Sequence, residues 1–147
     1  MGVQRFNEIE IDQPILSRGY LLEEEEIIAF ATQWNPEPFH IDREAVRDTP
    51  MGKLFASGVH LLSISIKLGN EVQPRPEMVA GLRWDEVIFS KPVFAGDTLR
   101  LELRCVEKRR SQSRPENAIV RFRMRLLNQR NEETVSYFVT AMMVCND

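Results

Sequence analysis

"TLRLELRCVEKR", residues 98–109, decides how this chain folds. Leu99, Leu101, Leu103 and Cys105 fall on one side of a two-residue period, and Arg100, Glu102 and Arg104 fall on the other. An extended strand sends alternate side chains to opposite faces, so this stretch predicts a strand with one dry and one wet face. "AIVRFRMRLLNQ" (118–129) repeats the pattern, with Val120, Phe122, Met124 and Leu126 against Arg121, Arg123 and Arg125. "TVSYFVTAMMV" (134–144) makes a third strand, and "MVAGLRWDEVIF" (78–89) with "KPVFAG" (91–96) supplies the others. "AGDT" (95–98) and "NQRNEE" (128–133) carry turn chemistry. Strands with one solvated face belong in antiparallel sheets.

Upstream of about residue 78 the period changes. "EEEEIIAFATQW" (23–34) predicts a helix: Ile27, Ile28, Phe30, Ala31 and Trp34 form one apolar stripe, and glutamates crowd the first turn, where the helix dipole favours them. Pro36 ends it. Asp42 can cap a short helix through "REAVRDT" (43–49). "VHLLSISIKLGNE" (59–71) is apolar nearly all round, which predicts a buried helix capped by Ser57. The first twenty residues are irregular or strand-like. Helices early and strands late argue for an α+β fold in which an antiparallel sheet covers a buried helix.

The totals narrow the function. The 147 residues suit one domain, and nothing suggests a boundary within 1–147. A net charge of -3 offers no footprint for nucleic acid. No apolar run approaches the roughly 20 residues that span a bilayer. The N-terminus lacks the apolar core of a signal peptide, and Phe6 stands where a myristoylation motif needs Ser or Thr. Cys105 and Cys145 have no metal-ligand spacing, and the expectation is two reduced thiols in a cytoplasmic protein, with a single disulfide left open.

"NPEPFHID" (35–42) is where chemistry concentrates. It holds His40, one of two histidines, and two prolines flank Glu37, which predicts an extended run up to the imidazole. Alone, His40 reads as a turn histidine, and Asn35 reads equally as a water-binding amide or as a helix-end residue that tolerates the left-handed conformation.

Four stretches, "FATQWNPEPFHID" (30–42), "ASGVH" (56–60), "KPVFAGDTL" (91–99) and "SQSRPENAIVRFRMRLLNQ" (111–129), together resemble the MaoC-like dehydratases, the (R)-specific enoyl-CoA hydratases of the hotdog fold. The resemblance runs from about Leu22 to the last strand. It implies one hotdog unit, a curved antiparallel sheet wrapped around a central helix at residues 58–70, and a homodimer. It implies an acyl-CoA or acyl-carrier thioester as substrate, with no metal and no separate cofactor. The family sets an aspartate five residues before a histidine, and the two hold the water that adds to the double bond. His40 matches the histidine, while Asn35 stands in the aspartate's place and cannot take up a proton at neutral pH. Gly58 matches the family's glycine at the helix N-terminus, where backbone N–H groups can hold a thioester oxygen.

The candidate catalytic residues are therefore His40, Asn35 and Gly58. Ser57 and Val59, which flank Gly58, are candidates for substrate binding, and so is Arg114, whose cation suits a coenzyme A phosphate. His60 is expected to pack or cap, and Ser63 and Ser65 to bond back to their own helix. The leading expectation is a hydratase or dehydratase weakened by Asn35. A non-catalytic acyl-CoA-binding protein or partner subunit is an alternative, and thioester hydrolysis is another.

Overall fold

Four of the alternating segments form long strands in the computed structural model, which describes residues 2–145. In chain order the elements are β1 (Val3–Gln4), a 3-10 turn (Phe6–Glu8), β2 (Ile15–Leu16), β3 (Tyr20–Leu21), α1 (Glu24–Trp34), α2 (Pro38–Ile41), α3 (Arg43–Arg47), α4 (Gly58–Glu71), β4 (Arg75–Pro76), β5 (Met78–Phe89), β6 (Thr98–Arg110), β7 (Asn117–Leu127) and β8 (Glu133–Val144). The main sheet runs β2-β6-β7-β8-β5, and β3 also pairs with β6. All of these pairings are antiparallel. β1 and β4 make a small parallel pair.

The two-residue period does what it predicts. Leu99, Leu101, Leu103 and Cys105 of β6 join Val120, Phe122 and Leu126 of β7 in the core, with Tyr137, Ala141 and Met143 of β8. Leu61, Ile64 and Leu68 of α4 pack in the same cluster. Arg104, Arg121, Arg123 and Arg125 of the outer face are tied into ion pairs. Arg125 reaches Glu102 at 3.1 Å and Glu133 at 2.7 Å, and Arg121 reaches Asp85 at 2.8 Å.

Three expectations are corrected. "KPVFAG" is no strand: after Phe89 the chain loops to β6, touching Phe55 through one isolated bridge at Phe94. The run up to His40 is extended only at its start. Pro38 opens the helical turn α2, with Glu37 as its N-cap, because a proline at the first helical position loses no hydrogen bond that the helix could have used. The third correction concerns α4, which is buried on one face only. Val59 is 48% exposed and Ile66 39%. Trp34 and Trp84 are exposed as well. β5 lies at the sheet edge with Val79, Leu82, Ile88 and Phe89 uncovered.

Both cysteines are free, Cys105 buried and Cys145 partly so. No helix among the described residues is long and apolar enough to cross a membrane.

Candidate active site

The site is assembled by three consecutive turns and one helix start. α1 stops at Trp34, and the Asn35 N–H closes the last turn on the Ala31 carbonyl at 2.8 Å. The Asn35 carbonyl then accepts the Glu37 N–H at 2.7 Å, and the Glu37 carbonyl accepts the His40 N–H at 3.0 Å. Asp42 caps α3, its Oδ1 accepting from the N–H groups of Glu44 and Ala45. That role commits the Asp42 Oδ1 to the backbone of α3.

His40 is 6% exposed. Its Nδ1 lies 2.7 Å from the Phe55 carbonyl oxygen. A carbonyl only accepts, so Nδ1 carries the proton and the neutral ring keeps its lone pair on Nε2. The rings of Phe39 and Phe55 meet the imidazole edge-on, with centroids 5.7 and 4.8 Å away. Backbone and two aromatic rings therefore fix both the tautomer and the direction of the ring.

Phe55 lies in the loop that leads into α4. The loop is anchored by the Ala56 N–H, which donates to the Val93 carbonyl at 2.9 Å. Ser57 is the N-cap, its Oγ accepting from the His60 N–H at 3.3 Å. The first N–H groups of a helix have no acceptor inside it, so those of Gly58 and Val59 are available to a ligand. A Cβ on Gly58 would stand 2.8 Å from two ring atoms of Phe89, so packing also favours glycine there.

A cavity of about 450 Å³ joins these pieces. His40 and Gly58 both line it, with Phe55, Leu61 and Phe89, and with Ser90 and Lys91 from the loop after β5. Lys91 is held by Glu132 at 2.5 Å. Lys91, then Asn128 and Arg130, lower the Glu132 carboxyl to about 2, so the pair stays ionised at neutral pH. Among the described residues no aspartate or glutamate lines the cavity.

The other candidates separate. Asn35 is half-buried at the end of α1, outside the cavity lining. Ser57 is 1% exposed and occupied as a cap. The Val59 side chain faces a different depression, shared with Phe30, Trp34 and Ser63, so only its backbone belongs to the site. Arg114 sits in the exposed turn after β6. The row from Phe89 through Val135 and Leu126 to Leu101 marks the site end of the sheet. Arg110, beside the turn of Arg114, is nine residues further along β6, roughly 30 Å at strand rise. Arg114 therefore lies far from its own chain's cavity. His60 does pack, but it also pairs with a carboxylate, and Ser63 and Ser65 bond back to α4 carbonyls as expected.

Phe55 escaped the sequence because its contribution is a carbonyl, which every residue has. Ser90 and Lys91 lie some 50 residues from His40 and carry no spacing signal.

An antiparallel sheet packed over a long central helix, with a histidine of fixed tautomer and that helix's N-terminus lining one apolar cavity, defines a hotdog protein. The MaoC-like domain family matches residues 6–124, and the chain belongs to it. The MaoC-like dehydratase of Rhodospirillum rubrum superposes with a TM-score of 0.89 at 29% identity, over 97% of both chains. The unliganded (R)-hydratase PhaJ1 of Pseudomonas aeruginosa shares the fold at 24% identity, with a TM-score of 0.79 over 99% of this chain and 88% of that one. The uncharacterized protein YdeM of Bacillus subtilis is 28% identical over 96 residues, 65% of this chain and 68% of that protein.

Proposed function

We propose that the chain adds water to an enoyl thioester, or removes it from the hydroxyacyl product, with His40 as the proton-transferring group. The observation that carries this is the Phe55 carbonyl on Nδ1, which makes Nε2 the basic nitrogen of a residue lining the same cavity as Gly58. In the hydration direction Nε2 takes a proton as water oxygen bonds to the β carbon. The double-bond electrons move toward the thioester carbonyl, whose oxygen is held by the N–H groups that open α4. The imidazolium then returns its proton to the α carbon, and the thioester carbonyl re-forms. The Nδ1–H bond to Phe55 strengthens when the ring is charged, because charged donors bond more strongly. A carbonyl oxygen stabilises that charge less than a carboxylate does.

Asn35 lies outside the cavity lining and acts on the reaction only through a water. Its amide can orient water without accepting a proton, and among the described residues no carboxylate lines the cavity. Slow hydration follows. The same absence favours, as a second function, an acyl-thioester-binding protein or partner subunit, and it counts against hydrolysis, which normally calls for a carboxylate to activate water. The acyl group arrives on coenzyme A or an acyl carrier. The protein works as a homodimer in the cytoplasm: the long β5 edge and the uncovered face of α4 expose apolar side chains that a second copy would bury.

Crotonyl-CoA and longer enoyl-CoAs, followed by loss of the enoyl absorbance and by release of free thiol, separate the three activities. Absorbance loss without thiol is expected. Thiol release at the same rate would mean hydrolysis, and binding without either signal would mean a non-catalytic partner.

A further inference from the structure

The first turn of α4 carries a histidine that hydration does not use. His60 is 3% exposed, and its Nε2–H donates to Glu26 Oε2 at 2.8 Å. A carboxylate only accepts, so the neutral ring holds its proton on Nε2 and leaves Nδ1 bare. Nδ1 is buried without a partner. Phe30, one turn along α1 from Glu26, lies flat on the ring, with centroids 4.2 Å apart and planes 5° from parallel. The second Glu26 oxygen accepts from the Tyr20 O–H of β3 at 2.6 Å. The backbone N–H of His60 is also captured, by the Ser57 cap. One residue is thus held through both its backbone and its side chain.

Its place gives this a use. α1 leads through Asn35 into the turn that holds His40, and α4 begins at Gly58. On the cavity side Gly58 meets open space and the half-exposed ring of Phe89, while Leu61 is the side chain of this turn that packs into the core. On the opposite side the turn meets α1. We propose that Glu26 and His60 form a positioning pair that locks the N-terminal turn of α4 to α1 and so sets the thioester-holding N–H groups against His40. This rests on the thioester function proposed above. Neither residue touches the substrate; both act through the helix.

Misplacing reacting groups by about 1 Å can cost about 10²-fold in rate. The test uses the full chain with Glu26→Gln, Glu26→Leu, His60→Gln, His60→Leu and, as a control, Tyr20→Phe. Glutamine at 26 still accepts from Nε2–H, and glutamine at 60 still donates to Glu26. Three quantities are followed: thermal stability, the amide resonances of Gly58 and Val59, and kcat and KM on crotonyl-CoA well below the lowest melting temperature. The leucine variants should shift both amide resonances and lower kcat about 10- to 100-fold, with KM changed less than about threefold. The glutamine variants and Tyr20→Phe should stay near the wild type. Should His60→Leu fail to fold, the Glu26 variants decide alone, since that side chain is partly exposed. Leucine variants that only melt earlier, with unmoved Gly58 and Val59 amides and an unchanged kcat, would overturn the proposal. If the wild type turns over no enoyl thioester, the hydratase function fails by itself, and the amide resonances still decide whether the pair positions the helix.

Discussion

Replacing Asn35 by aspartate should convert a slow site into a faster one. The exchange is nearly isosteric and puts a proton acceptor five residues before His40. Among the described residues no side-chain hydrogen bond holds Asn35, so the exchange breaks none. It does carry a cost. Asn35 is the C-cap of α1, and a carboxylate there faces the negative end of the helix dipole, about 0.3–1 kcal/mol. For a chain of this size that lowers the melting temperature by about 1–4 °C. Against it stands a gain of about 10²–10⁴ in rate from a positioned acid–base group. Because Asn35 lies outside the cavity lining, the new carboxylate must act through the attacking water, and the low end of that range applies. A hundredfold rise in kcat/KM corresponds to about 2.7 kcal/mol off the barrier. The assay is loss of enoyl absorbance with crotonyl-CoA, paired with a melting curve. A variant that melts within this window, binds the thioester and gains nothing would refute the reasoning. So would a wild type that already hydrates rapidly, since His40 would then be working with an acid that the cavity does not show.

His40→Ala should lower hydration by about 10²–10⁴-fold while the protein stays folded; an unchanged rate would move the chemistry elsewhere. Gly58→Ala should destabilise by about 1 kcal/mol, the low end for overpacking, because the Phe89 ring that its Cβ would strike is 52% exposed at a strand end and can swing away. Burial holds the His60 imidazole below its ordinary value of 6.5, against the opposing pull of Glu26. Between the lowered value and 6.5 the unfolded chain binds the proton and the folded chain resists it. Stability present above 6.5 is therefore lost as pH falls through that window, and urea unfolding of His60→Gln should show a flatter fall between pH 7 and 5. Light scattering at micromolar concentration should give the mass of a dimer, and a monomer would leave the apolar β5 edge unexplained.

Much of this protein is legible in its residues taken in order. The strict alternation at 98–109 and 118–129 dictates strands, because period two has no other geometric solution. Ser57 dictates a helix start and Pro36 a helix stop, each through a local backbone constraint. His40 and Gly58 are visible as candidates because the words around them are distinctive. Local chemistry did not decide the helical turn at Pro38–Ile41, since a proline between extended residues fits both conformations. Nor could it show that His40 leans on the Phe55 carbonyl or that Arg114 lies at the far end of the sheet. Those facts depend on which atoms meet across the chain. The pairing of Glu26 with His60, 34 residues apart, is of the same kind. A lone histidine on an apolar helix reads as packing until the fold carries a second helix, with its carboxylate, to within hydrogen-bonding distance. The apolar residues of α4 and β5 mark the limit from the other side: their hydrophobicity is written in the sequence, but whether they face a core or an open surface is decided only when sheet and helix close around each other.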